Sequence, residues 1–275
     1  MSARRFLPSD PADFLRSIVP LGLLAIAAAV PVARLVVVLL LVAGFVVATG
    51  RAAPVRWAWG AALPVVAGLL WQAWRGEVFA PNALECVDAT SPFALGRAAE
   101  GVVVLGTLAA VGMLLGAPAS GLGLRVPARR WWSWAIAGFL ICGPVGLVVG
   151  PFLAAPFFGP VHYDVTAVGA IVPALLFATA NGVTEELAYR GALLSWSARV
   201  VGTGPALVGQ AMIFGLAHSG PDVAGSPLVL MVLMGLAGLL AGVVAIRTRS
   251  LLVPIAIHVA LDLPIYYAFA CGSGG

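Results

Sequence analysis

Residues 171–191 read IVPALLFATANGVTEELAYRG, and this stretch decides the fold class. A mostly apolar run comes first, and Glu185, Glu186 and Arg190 follow it within the same predicted helix. Lipid does not solvate a charged side chain, so a charge inside an apolar segment is costly unless it is paired or hydrated. The stretch therefore predicts a membrane helix that carries a functional polar site.

The rest of the chain has the same apolar character. Of its 275 residues, 61% are hydrophobic and only 9% are charged, whereas about a quarter of the residues of a soluble domain are charged. A membrane-spanning helix needs about 20 residues. We expect an all-α, polytopic transmembrane bundle of about eight or nine segments. The apolar candidates are 15–31, 33–49, 56–74, 98–116, 132–154, 166–199, 204–218, 226–246 and 251–270.

One integral membrane domain accounts for nearly the whole chain. We assign residues 1–165 to N-terminal transmembrane helices and residues 166–275 to a core that holds the chemistry. At the N-terminus, Arg4 and Arg5 precede the apolar run 17–30, a pattern that also fits a cleaved signal peptide. A second apolar run follows almost at once, and no polar mature domain comes after a cleavage site. We therefore favour a retained anchor.

The placement of arginine predicts the orientation in the membrane. All fifteen basic residues are arginine, and cytoplasmic loops collect positive charge during insertion. With a cytoplasmic N-terminus, only Arg34, Arg75 and Arg97 fall in outer loops. The excess of basic over acidic residues therefore reflects the orientation of the protein in the membrane and does not indicate a nucleic-acid-binding surface. The cytoplasmic arginines would be Arg4, Arg5, Arg16, Arg51, Arg56, Arg125, Arg129, Arg130, Arg199, Arg247 and Arg249.

Two further features concern the compartment. The composition is rich in alanine, glycine and arginine and lacks lysine, which indicates a GC-rich bacterial genome and hence the plasma membrane. The predicted topology places Cys86 and Cys271 on the outer side, where a disulfide between them and two free thiols are both open alternatives. Cys142 lies inside an apolar segment and is expected to be a small buried residue.

Six titratable or charged side chains form the candidate site, and five of them lie on two predicted helices. On a helix, Glu186 and Arg190 lie one turn apart and are expected to form an ion pair, whereas Glu185 points about 100° away and stays available to a cavity. His258 and Asp262 also share one helical face, so the carboxylate is placed to orient or charge the imidazole.

The depths of these residues along their helices predict that they lie close to a second histidine, His218. Counted from the turn near Gly202, Glu185 and His218 both lie ~24 Å along an antiparallel helix pair at ~1.5 Å per residue. His258 and Asp262 lie ~14 and ~20 Å from the next turn on the same side. A purely structural set of hydrogen-bonding groups between helices is the alternative. We expect a single buried polar site.

Two other polar residues are assigned to the surface. Glu100 has no partner that we identify in the sequence and is expected to reach the membrane interface with its carboxylate. His162 lies beside Tyr163 and Asp164 in an expected outer loop and is taken as a surface residue.

The pattern of these residues resembles the CPBP family of intramembrane proteases, which includes CAAX proteases and bacteriocin-processing enzymes. The first-motif glutamate of the family matches Glu185, and its second-motif histidine matches His218. Its third-motif pair matches His258 and Asp262, although the last position is often asparagine in the family. Three motifs carry the resemblance: Glu185-Glu186-x-x-x-Arg190, Phe214-x-x-x-His218 and His258-x-x-x-Asp262.

The resemblance implies hydrolysis of a peptide bond in a membrane-associated or lipidated peptide or protein. Glu185 would take a proton from the attacking water, His218 would position that water, and His258 would stabilise the oxyanion. Asp262 would either be protonated or orient His258. Glu186, Arg190 and Phe214 would support the site.

Two questions stay open at the level of the sequence. A variant of the mechanism places a zinc ion on His218, His258 and Glu185, and the spacing of these residues does not decide for or against it. A different class of function is a membrane scaffold or regulator that binds a partner peptide in the same polar site without cleaving it. A proton-relaying transporter fits less well, because paired broken helices and internal repeats are not visible.

Overall fold

The structure is a computed structural model that describes most of the chain. It covers residues 11–51, 53–75, 92–126, 131–158, 161–162, 168–218, 227–271 and 273–274.

The described residues form an all-helical bundle, as the sequence predicts. Its helices are α1 (Pro11–Ala29), α2 (Arg34–Thr49), α3 (Ala53–Arg75), α4 (Pro92–Leu115), α5 (Trp131–Phe158), α6 (Ile171–Glu185), a π-helix (Glu186–Leu194), α7 (Ser195–Val201), α8 (Thr203–Ala217), α9 (Pro227–Thr248) and α10 (Leu252–Ala270). Single 3₁₀ turns lie at Pro31–Ala33, Ala119–Leu122 and Val168–Ala170. A two-residue strand, β1 (Val161–His162), pairs antiparallel with β2 (Ser273–Gly274).

The lengths of the helices confirm a polytopic membrane protein. Within the described ranges, six helical segments are long and apolar enough to cross a membrane: Pro11–Ala29, Pro31–Thr49, Ala53–Trp74, Phe93–Leu115, Val168–Val201 and Leu228–Thr248. Three shorter apolar helices complete the set: Trp132–Val148, Thr203–Ala217 and Leu252–Tyr267. Each of the nine predicted segments coincides with one of these.

A polar layer separates two apolar clusters in the bundle interior. Along each of the helices α4, α6 and α10, residues of one apolar cluster come first and polar residues follow them. Beyond the polar residues, each helix contributes to, or leads into, the other apolar cluster. The smaller cluster includes the stacked rings of Phe93 and Phe177, whose centroids are 4.5 Å apart, with Tyr266 tilted against both. The site therefore lies at one depth because three helices keep a common register.

Glycine permits a close contact between α4 and α6 beside this layer. A Cβ atom built on Gly101 of α4 would lie 2.9 Å from Oγ1 of Thr184 on α6, which is closer than real Cβ contacts. Small residues at such crossings allow membrane helices to approach each other. This contact fixes α4 directly beside the residue that precedes Glu185.

The predicted place of Arg34 in an outer loop is wrong. Arg34 is the first residue of α2, is only 3% exposed, and donates from Nε to the carbonyl of Ala27 (3.2 Å) and from Nη1 to that of Leu69 (3.3 Å). The Ala27 carbonyl lies in the last turn of α1, where carbonyls lack intrahelical donors. The buried guanidinium of Arg34 therefore donates to carbonyls of two other helices.

The cysteine predictions are answered in part. Cys271 is disulfide-bonded, so the alternative that leaves it as a free thiol is wrong. Cys142 is free and partly buried. Cys86, the predicted partner of Cys271, lies outside the described residues. The backbone of His162 belongs to β1, whereas its side chain lies outside the described part of the structure.

Candidate active site

The two adjacent glutamates lie where the helix changes its geometry. Glu185 is the last residue of α6, and Glu186 is the first of a π-helix that continues to Leu194. A sequence of good helix formers gave no signal for this change. Long π-helical stretches are rare, and shorter ones are frequent at functional sites. Every residue of this π-helix is buried, so the widened turn places charged side chains into the bundle interior.

Glu186 is the more deeply enclosed of the two carboxylates. Its Oε1 atom lies 3.0 Å from Nη1 of Arg190, which is the predicted ion pair. This contact is an ion pair without the geometry of a hydrogen bond, and Arg190 Nη1 has no hydrogen-bond partner in the structure. The same is true of Arg190 Nε and Glu186 Oε2. The guanidinium also lies over the Phe214 ring, 4.4 Å from its centroid. The pair thus holds its place by charge and by the aromatic ring.

His258 joins Glu186 to the rest of the site. Its Nδ1 atom lies 2.9 Å from Oε1 of Glu186, and because a carboxylate oxygen only accepts, Nδ1–H is the donor. Glu186 thus fixes the ring at Nδ1, and the orienting role expected of Asp262 stays a prediction. The spacing of His258 and Asp262 gave no indication of the contact with Glu186, because Glu186 approaches the ring from another helix.

The second nitrogen of His258 faces two carboxylates. Nε2 lies 3.6 Å from Oε2 of Glu185 and 3.6 Å from Oδ2 of Asp262. Both distances exceed that of a direct hydrogen bond. Neither carboxylate therefore makes a direct hydrogen bond with Nε2 in the structure.

Asp262 has a partner that the sequence did not reveal. Asn181, one turn before Glu185, donates from Nδ2 to Oδ2 of Asp262 at 2.9 Å. The pairing spans α6 and α10, so spacing within either helix gives no indication of it.

His218 lies just beyond the end of α8. Its Nδ1 atom is 2.7 Å from the carbonyl oxygen of Phe214, and because a carbonyl only accepts, Nδ1–H donates and the neutral ring presents a lone pair at Nε2. The His218 and Phe214 rings pack at 4.7 Å. His218 interacts electrostatically with both Glu185 and His258, so the fold brings it to the same site without a direct ion pair.

A second polar cluster borders the site from α3 and α4. Arg97 donates to Glu100 with 2.6 Å between Nη1 and Oε2, and Gln72 donates to the other oxygen of Glu100 at 2.9 Å. Arg97 also interacts electrostatically with Glu185 and Asp262.

Two predictions about this cluster are therefore wrong. Arg97 lies within α4 and not in a loop, and Glu100 is buried with Arg97 and Gln72 as partners instead of reaching the membrane interface. The spacing of three residues between Arg97 and Glu100 was an available signal for their pairing. Nothing in the sequence indicated Gln72.

The zinc ion considered from the sequence on His218, His258 and Glu185 stays a prediction. Within the part of the chain that the structure describes, three or more His, Cys, Asp or Glu side chains do not group in an arrangement that could hold a metal ion. Nδ1 of His258 is used by Glu186.

The family of the C-terminal part follows from its sequence and its motifs. Residues 167–264 match the family model described as "Type II CAAX prenyl endopeptidase Rce1-like". These residues are therefore similar to the Rce1-like family. The predicted resemblance to CAAX-type intramembrane proteases is thereby confirmed. No curated protein and no solved structure matches the chain.

The Rce1-like match has a definite extent. It includes the glutamate pair, both intramembrane histidines and Asp262, and supports intramembrane protease activity in general terms. The cluster of Arg97, Glu100 and Gln72 lies outside it, on helices that pack beside the matched residues.

Proposed function

We propose that the protein is an intramembrane endopeptidase that hydrolyses a peptide bond of a membrane-associated or lipidated peptide or protein. The observation that carries this proposal is the placement of Glu185 against Nε2 of His258, inside an apolar bundle and within a family of CAAX endopeptidases. A carboxylate and an imidazole beside a common space are the groups that water-mediated peptide hydrolysis requires.

In this mechanism, Glu185 is the general base. It takes one proton from a water molecule, and the resulting hydroxide attacks the scissile carbonyl carbon. His218 suits the positioning of that water, because its Nδ1–H is engaged by the Phe214 carbonyl and Nε2 is left to accept from the water. When the tetrahedral intermediate collapses, the C–N bond breaks and Glu185 returns the proton to the leaving nitrogen.

His258 has the geometry of an oxyanion donor. Glu186 accepts from Nδ1–H and fixes the ring. In the doubly protonated ring, Nε2–H is a second donor at the position between Glu185 and Asp262. A fixed donor in a site with little water stabilises developing negative charge by several kcal/mol, because it does not reorganise during the reaction. Asp262, held by Asn181, would limit where the ring and the substrate can lie.

The setting of the reaction is also part of the proposal. We place the protein in the bacterial plasma membrane as a multi-pass protein with a cytoplasmic N-terminus. Its partners are the lipid bilayer and a peptide substrate that reaches the site from the membrane surface. Nucleic acid is not among them.

The test compares the termini of membrane peptides in host cells that carry the natural chain or Glu185→Ala. New termini that depend on Glu185 are expected, and they also identify the substrate. Glu100→Gln is the matched control, because it removes another buried carboxylate outside the site and should leave the termini unchanged. Identical termini in wild type and Glu185→Ala, at equal membrane abundance, would refute the peptidase and favour a scaffold that binds without cleaving.

A further inference from the structure

We propose that Oδ1 of Asn181 is a substrate-binding atom that accepts a hydrogen bond from a backbone N–H of the bound peptide. The inference rests on the proposed peptidase function. It assigns a specific binding role to a residue that the catalytic steps above do not use directly.

The chemistry of the amide fixes which end of Asn181 is available. Nδ2 donates to Oδ2 of Asp262 at 2.9 Å, and an ionised carboxylate accepts but does not donate. The oxygen end of the amide therefore points elsewhere. Asn181 is only 7% exposed, and its Oδ1 atom is buried without a hydrogen-bond partner in the structure. A buried acceptor without a hydrogen bond costs free energy. A substrate N–H that donates to Oδ1 would remove this cost, which gives a physical reason for an asparagine at this position.

The position of Asn181 suits a peptide that lies in the site. It precedes Glu185 by four residues on α6 and is bonded across to Asp262, which faces Nε2 of His258. One helical turn is ~5.4 Å, and an extended peptide advances ~3.3 Å per residue. A carbonyl held between Glu185 and His258 therefore places an amide one or two residues away beside Asn181.

Other unpaired polar atoms near the site are placed differently. Thr184 Oγ1 is buried and unpaired but faces α4 at Gly101. Gln210 has the same half-satisfied amide as Asn181, with Nε2 donating to the Gly238 carbonyl at 2.9 Å and Oε1 unpaired. It lies in the contact of α8 with α9, among apolar neighbours. Gln210 is therefore a matched control for Asn181.

The experiment uses the purified full chain in lipid bilayers and a synthetic peptide that spans a cleavage site mapped in the host. Single backbone esters replace the amides that flank the scissile bond, one position at a time, so that each peptide lacks one N–H. The ratio of kcat/KM for the amide and the ester is measured with wild type, Asn181→Leu and Gln210→Leu. Because each ratio is taken within one variant, general damage from a substitution cancels.

With wild type, an ester one or two residues from the scissile bond should lower kcat/KM by roughly threefold to tenfold, the worth of one neutral hydrogen bond. In Asn181→Leu this ratio should fall to about one, because the acceptor is already absent, whereas Gln210→Leu should keep the wild-type ratio. A wild-type scan without a sensitive position, or a sensitive position that survives in Asn181→Leu, overturns the inference and leaves the peptidase standing. Failure of wild type to cleave the all-amide peptide refutes the proposed function and the inference together.

Discussion

Glu185 and Glu186 are neighbours in the chain and carry the same functional group, yet the fold gives them different surroundings. The Glu186 side chain is 1% exposed and lies against Arg190 and Nδ1 of His258. The Glu185 side chain is 11% exposed and lies 3.6 Å from Nε2 of His258. Successive residues of a helix point about 100° apart, so one carboxylate is neutralised inside the bundle while the other faces the site. The comparison shows that adjacency in a motif does not imply equal roles.

Substituting each glutamate with glutamine tests this comparison most directly. Glu185→Gln should lower kcat by about 10²–10⁴, the usual contribution of a general base, with little loss of folding stability. Glu186→Gln should instead lower the free energy of unfolding by about 3–5 kcal/mol, because the Arg190 charge stays buried without its anion. Cleavage kinetics and denaturant unfolding in mixed micelles measure the two effects. Equal losses of activity without any loss of stability would break the distinction.

A double-mutant cycle sharpens the structural half of the comparison. Glu186→Leu and Arg190→Met should each be strongly destabilising, whereas the double variant should be more stable than either single one, since no unpaired charge remains. Its activity should stay low, because His258 still lacks the acceptor at Nδ1. If the two losses of stability simply add, the contact at 3.0 Å is not an energetically coupled pair.

Glu100 extends the comparison to a carboxylate outside the matched family residues. Glu100→Leu should lower the free energy of unfolding by about 1–3 kcal/mol, because Arg97 and Gln72 each lose an acceptor. The loss should be smaller than that for Glu186, since the Arg97 side chain is 19% exposed whereas that of Arg190 is 1% exposed. The turnover number should change little per folded molecule. A loss of kcat comparable to that of Glu185→Gln would assign Glu100 to the chemistry instead.

The smallest effect concerns the backbone beside Glu185. Gly101→Ala would bring a Cβ atom to 2.9 Å from Thr184 Oγ1, so one helix must shift, at a cost of about 1 kcal/mol. Thr184→Ala removes that oxygen and should rescue the stability of Gly101→Ala. Unfolding midpoints of the four combinations provide the measurement. Absence of rescue would show that α4 and α6 do not depend on this contact.

Much of the fold could be predicted, because hydrophobic length is a local property of the chain. Nine apolar stretches gave the nine helical segments to within a few residues. The exceptions involve arginine: Arg34 and Arg97 interrupt apolar sequence and were assigned to loops, whereas each lies within a helix and is satisfied by groups from other parts of the chain. Sequence patterns do not show partners that approach from a distance in the chain.

The candidate site divides in the same way. Motif spacing and depth arithmetic predicted that Glu185, His258 and Asp262 lie together, and their contacts agree. Their catalytic roles stay predictions. The identity of the group that orients His258 was not predictable, because Glu186 and Asp262 are equally plausible partners until the helices are placed.

By itself, the sequence determined a polytopic helical membrane protein, the similarity of residues 167–264 to the Rce1-like family and a set of candidate site residues, since apolar length and motif spacing are properties of single helices. Only the tertiary structure decided which nitrogen of His258 meets which carboxylate, that a π-helix follows Glu185, and that Asn181 is bound to Asp262 by one end of its amide. These features depend on the relative rotation and register of separate helices, which the packing of the whole bundle sets.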